Sequence, residues 1–172
     1  MKPINALALR ISLYTGLRIG DVLKIQWRDI IGNQIKVIAE KTKKVDYFYV
    51  NGDLLRDIDR LCPVGGRFIF PGRGKTGHRT RQAVFIDMRN AAESLKVLEH
   101  ATPHSARKTF AVGLRKSGAP EKDIQKALQH SSRATTKIYS RSDRLNLTPE
   151  RLDELIEIIC DRVTTRLKNA EQ

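Results

Sequence analysis

The chain has 172 residues, enough for one domain with a substantial apolar core, and a formal net charge of +13 that points to a polyanionic partner. Cys62 and Cys160 stand too far apart for a metal-ligand or redox motif and read as two ordinary thiols of a reducing compartment. No signal peptide opens the chain, and no apolar run approaches the roughly 20 residues needed to span a bilayer, so a cytoplasmic protein, or one working at a nucleoid, is expected, while charge alone does not separate DNA from RNA or an acidic membrane as the partner.

Helical spacing of Leu7, Leu9, Ile11 and Leu13 predicts a first helix over 4–14, with Pro3 suited to its first turn. Thr15-Gly16 interrupts it, and a short helix is expected over 19–25. Ile30-Ile31 and residues 35–39 read as two strands around a Gly32-Asn33 turn, and Val45 to Val50 reads as a third. The basic loop Glu40-Lys41-Thr42-Lys43-Lys44 joins the last two strands. Asn51 is a candidate N-cap for a helix ending near Leu61. Arg67 to Phe70 is expected to be extended, followed by a glycine-rich basic stretch from Pro71 to Arg79. Gly74-Lys75-Thr76 looks like the end of a phosphate-binding P-loop, but that motif needs glycine at position 69, where Ile69 stands. Further helices are expected over 80–98, with Val84, Met88 and Ala91 on one face, and over 103–117, 120–129 and 135–139. A last helix starts at Thr148-Pro149 and carries Leu152, Leu155, Ile156, Ile159, Val163 and Leu167 as an apolar stripe. The expected fold is mainly α with a small antiparallel β-sheet (α+β), in a single domain.

Two arginines, two histidines and a tyrosine stand out within this frame. Arg18 and Asp21 follow the Thr15-Gly16 turn, His104 and Arg107 open a helix, His130 follows another helix, and Tyr139 lies nine residues later. Each alone has a plain reading, as a solvated arginine, a helix-ending histidine or a packed tyrosine. Together they suit a phosphate held by guanidinium forks and attacked by a phenol, with histidine moving protons near neutral pH. His100 and His104 have no carboxylate or cysteine partner in register, so no metal is expected.

The order of these groups resembles the tyrosine recombinases, or phage integrases. Thr15-Gly16-Leu17-Arg18-Ile19-Gly20-Asp21 is similar to the first box of that family, and His104-Ser105-Ala106-Arg107-Lys108-Thr109-Phe110-Ala111 to the second. Leu128-Gln129-His130-Ser131-Ser132 with Ile138-Tyr139 is similar to the third, with Gln129 where the family often has glycine. The resemblance runs from about residue 4 to the final helix. It implies the tyrosine recombinase catalytic-domain fold over 1–172, with the family's N-terminal DNA-clamping domain absent from this chain. It also implies Tyr139 as nucleophile, Arg18 and Arg107 as phosphate ligands, His104 and His130 as proton and hydrogen-bond partners, and Asp21 as a residue that orients them. The family's general-acid lysine lies in the hairpin loop. Lys41, before Thr42, is the first choice, with Lys43 and Lys44 as alternatives there and otherwise as DNA contacts. Arg73, Lys75, Arg79, Arg81, Lys108 and Arg133 are the remaining candidate DNA contacts.

The implied partner is double-stranded DNA, bound without a cofactor by a protein that is monomeric when free and tetrameric on paired sites. Residues 148–168 are expected to dock in cis in the monomer and on a neighbouring subunit on DNA. Two rivals share parts of this pattern: a type IB topoisomerase, and a DNA-binding regulator built on an inactive recombinase fold.

Overall fold

Helix α1 (Pro3–Thr15) is the axis around which the other elements pack, and Asn5 to Leu9, Ile11 to Leu13 and Thr15 are all buried in it. The structure, a computed structural model, describes residues 1–38, 43, 45–94 and 102–129. Pro3 sits in the first turn of α1, as its fixed φ and missing N–H allow. Leu7, Leu9 and Ile11 are almost completely enclosed, each contributing about 1.5–3 kcal/mol of apolar burial. Contacts to α1 come from α2 (Ile19–Val22), α3 (Gly52–Leu61) and α5 (Pro103–Lys116).

Helix α2 ends at Val22 rather than at the expected Ile25. The chain leaves the helix because Ile25 offers its carbonyl to the Ile69 N–H at 3.1 Å and the Trp27 N–H donates to the Arg67 carbonyl. A tertiary bridge between Gln26 and Phe68 thus outcompetes the local helical spacing. A short 3-10 turn (Trp27–Asp29), not foreseen in the sequence, follows and is closed by the Gln26 N–H on Asp29 Oδ2 at 2.9 Å.

Strands β1 (Ile30–Ile31), β2 (Gln34–Ile38) and β3 (Val45–Tyr49) form an antiparallel sheet with β2 in the centre. The register pairs Ile35 with Phe48, Val37 with Asp46 and Ile38 with Val45. Ile35 and Val37 are buried on the inner face, while Ile38, Val45, Tyr47 and Tyr49 are exposed on the outer one. Asn51 caps α3, its side chain accepting from the Leu54 N–H at 2.9 Å, and Leu54 and Ile58 seat the helix on the core.

Helix α4 (Arg81–Ser94) buries Val84, Met88 and Ala91, the face read from its spacing; residues 95–98 of the expected helix lie outside the described ones. Thr80 caps it through Oγ1 on the Ala83 N–H. Helix α6 (Glu121–Ala127) packs on α5 around Ala111, Ile124 and Leu128. Among the described residues, no helix is long and apolar enough to cross a membrane.

Candidate functional site

The turn after α1 is built for a fixed exit. Gly16 takes a left-handed φ of +69 and closes the helix with its N–H on the Ser12 carbonyl, a conformation that favours glycine. Thr15 Oγ1 donates to the Ile11 carbonyl at 2.6 Å, and Ser12 Oγ donates to the Leu17 carbonyl at 2.7 Å. Arg18 then stands in extended conformation as the N-cap residue of α2, half-buried, with Asp21 buried in the helix it opens.

Helix α5 brings the second group of residues to this turn. Pro103 occupies its first turn, and the Thr102 N–H donates to Ser105 Oγ at 3.1 Å. Pro103, Ser105, Ala106, Arg107, Thr109 and Ala111 are buried, and α5 lies along α1. The Phe110 ring covers Gly16 so closely that a Cβ there would stand 2.4 Å from the ring carbon Cδ1. Arg107 is 3% exposed. Its two terminal nitrogens donate to the main-chain carbonyls of Gly16 and Leu128. One guanidinium therefore joins the first turn, α5 and the residue two positions before His130.

His104 is exposed, and four cations act on it, Arg107 and Lys108 from its own helix and Arg18 and Arg81 from distant parts of the chain. Local desolvation, then Arg107, Arg18, Lys108 and Arg81, lowers its pKa below the ordinary 6.5. A neutral imidazole at pH 7 follows, with one ring nitrogen free to accept a proton. Arg81, at the start of α4, rests its side chain against Gly20 of α2, 3.2 Å from where a Cβ would be. Thus the structure assembles Arg18, Arg81, His104, Arg107 and Lys108 from three segments: the turn before α2, the start of α4, and α5.

The other candidate residues are distributed unevenly. Arg73 and Lys75 are exposed on the loop between Pro71 and His78, which is bridged at those two residues. Arg79 differs from them. It is half-buried, its Nε is enclosed without a hydrogen-bond partner among the described residues, and its main-chain N–H donates to the Phe70 carbonyl at 2.8 Å. Burial lowers its pKa, while Asp87 and Cys62 oppose that shift. Burial likewise pushes the Cys62 thiol up to about 12, against the effect of Arg79 and with a smaller contribution from Asp59. Lys43 is exposed with a φ of +56. Lys41, Lys44, His130, Arg133, Tyr139, the expected helix over 135–139 and the C-terminal helix lie outside the described residues.

Two features were not foreseen. Arg107 bonds to main-chain carbonyls as well as standing beside His104, and Gln129, at a φ of +50, donates from Nε2 to Asp46 Oδ2 on β3. Only the second left a trace in the sequence, since glutamine stands where glycine is usual in the resembling family.

Comparison with known proteins bears on the family and the fold. The family described as Phage integrase family matches residues 2–145. The chain is similar to the crystal structure of XerA recombinase, with 22% identity, a TM-score of 0.64, and 90% of this chain and 60% of that one covered. A lambda integrase(75–356) dimer bound to a COC′ core site gives 20% identity and a TM-score of 0.66 over 84% of this chain and 54% of that one. The Tn1549 transposon integrase in complex with a circular intermediate DNA gives 22% and 0.61 over 77% and 52%. The chain thus spans 60%, 54% and 52% of these three relatives, and at such identities the likeness is one of fold. No curated protein sequence matches the chain.

Proposed function

Because the chain belongs to the phage integrase family, we propose that it is the catalytic domain of a tyrosine-type site-specific DNA recombinase, serving integration or excision of a mobile element in the cytoplasm. The observation that carries this reading is that, besides desolvation, Arg107, Arg18, Lys108 and Arg81 all act on His104 to lower its pKa. Fold stability has no use for such a concentration of positive charge beside a histidine. A phosphodiester does, because its non-bridging oxygens gain negative charge as a nucleophile adds.

In the reaction, the Tyr139 oxygen attacks a backbone phosphorus, and the phosphorus–O5′ bond breaks. The products are a 3′-phosphotyrosyl protein and a free 5′-hydroxyl. His104, neutral in the free protein, takes the phenol proton. Lys41 gives a proton to the leaving O5′. Arg18 and Arg107 neutralise the pentavalent phosphorane, His130 donates to one of its oxygens, and Asp21 orients Arg18. Attack by another strand's 5′-hydroxyl reverses the step and reseals the backbone. One phosphodiester replaces another, so the exchange balances without a nucleotide or a metal. Arg73, Lys75, Arg81, Lys43, Lys44 and Arg133 hold the flanking phosphates of double-stranded DNA. Four copies act on two paired sites, and residues 148–168 exchange between them.

The test uses nicked duplexes of randomised sequence, in which loss of a short 5′-hydroxyl strand traps the covalent product. The parent protein should shift to a protein–DNA adduct on a denaturing gel. Tyr139→Phe should form none while keeping DNA affinity within about twofold, since only one hydroxyl is lost from many phosphate contacts. An adduct with the phenylalanine variant would remove Tyr139 from its role.

A further inference from the structure

Gln129 adopts a backbone conformation that residues with a Cβ avoid, at a φ of +50, and among the described residues only Lys43 shares this property without being glycine. Something must hold it there. Its side-chain amide donates to Asp46 Oδ2 across a separation of 83 residues. Asp46 pairs with Val37 on β2, and so lies on the inward face of the sheet, where a carboxylate needs a hydrogen-bond partner. A cavity of about 260 Å³ separates β3 from α6 beside this bond, lined by Asp46, Phe48, Asp123 and Lys126. Apolar packing therefore does not close the gap there, and Asp46 both lines it and accepts from Gln129. The preceding residue is held from the opposite side, through the Leu128 carbonyl on Arg107.

We propose that Gln129 is a positioning residue that ties β3, the strand entered from the basic loop, to the end of α6, and that this tie supports protonation of the leaving group. The proposal rests on the recombinase reading above. Its chemical content is specific: the tie acts through protonation of the leaving O5′, because β3 begins one residue after Lys44. Glycine at this position relaxes the backbone and loses the tie. Glutamine keeps the tie at the expense of backbone strain.

The experiment compares Gln129→Gly with the parent on two substrates, one with the natural O5′ and one with sulfur in that bridging position. A thiolate leaves without a proton, so a defect in leaving-group protonation vanishes on the sulfur substrate. Gln129→Gly should be at least as heat-stable as the parent, should cleave the oxygen substrate about tenfold more slowly, and should match the parent on sulfur. Asp46→Ala should behave the same way, Asp46→Asn, which keeps an acceptor oxygen, should recover most of the rate, and the double variant Gln129→Gly/Asp46→Ala should be no slower than either single one. Amide exchange over residues 45–49 should accelerate in Gln129→Gly. Equal losses on both substrates, multiplicative losses in the double variant, or unchanged exchange would each overturn the proposal. Should the parent form no adduct on either substrate, the recombinase reading fails, and unchanged or accelerated exchange then still decides against or for the tie.

Discussion

Gly16 concentrates three demands in one residue: a left-handed φ of +69, a carbonyl that accepts from Arg107, and a Phe110 ring lying where a side chain would begin. Gly16→Ala adds backbone strain and a clash together, for an expected loss of about 2–4 kcal/mol in urea denaturation. A loss under about 1 kcal/mol would mean that Phe110 yields freely. His104 gives a second prediction at this scale. Its folded pKa lies below 6.5, so the unfolded chain binds the proton more tightly. The stability from this group is complete above about 6.5 and declines as pH falls toward the lower folded value. An NMR titration of the free protein should show a His104 midpoint below 6.5. That midpoint should rise in Arg18→Gln, which removes a cation, and should rise further on adding duplex DNA, which brings negative charge. A midpoint insensitive to both would separate His104 from the cation cluster.

At the scale of elements, α3 is fastened to α1 by charge as well as by Leu54 and Ile58. Asp57 accepts from Arg10 of α1, with side chains only 15% and 17% exposed, and also from Arg60 at 2.8 Å, which is 71% exposed. Asp57→Asn should cost about 1.5–3 kcal/mol, because it weakens a hydrogen bond between charged groups that are mostly enclosed. Arg60→Ala should cost less than about 1 kcal/mol, because water already screens that pair. Chemical denaturation of both variants checks the contrast. Elements whose cause is local were readable from the sequence: the Pro3 start, the Asn51 cap, and the Val84, Met88 and Ala91 face of α4. Early termination of α2 was not, since it depends on bonds from Ile25 and Trp27 to Ile69 and Arg67, far along the chain. The site divides in the same way. Charge and order exposed Arg18, His104 and Arg107, but nothing near Arg107 in sequence reveals that it donates to Gly16, 91 residues away. Nor did charge distinguish Arg79 from Arg73 and Lys75; only its burial in the fold separates them.

For the whole molecule, the net charge of +13 should appear as a steep linear fall of log DNA affinity with log salt, about −0.9 per phosphate neutralised. Arg73→Ala and Lys75→Ala should each reduce that slope by about one contact and leave the melting temperature unchanged. Arg79→Ala should lower the melting temperature and barely alter the slope, because its Nε is enclosed. Fluorescence titrations at several salt concentrations and a thermal melt check all three. The loop from Pro71 to His78 has one more consequence. Its rim is bridged and its Arg73 and Lys75 are exposed, which makes it a natural place for trypsin to cut. The two fragments would divide the machinery, with Arg18 on the first and His104 and Arg107 on the second. Yet α5 lies along α1, and Arg107 reaches the Gly16 carbonyl across that line. A protein cut there should therefore elute as one particle in native chromatography and fall into two pieces only in denaturant. The peptide chain between the halves is dispensable once they have met: the fold is a two-piece complex that happens to be covalently joined.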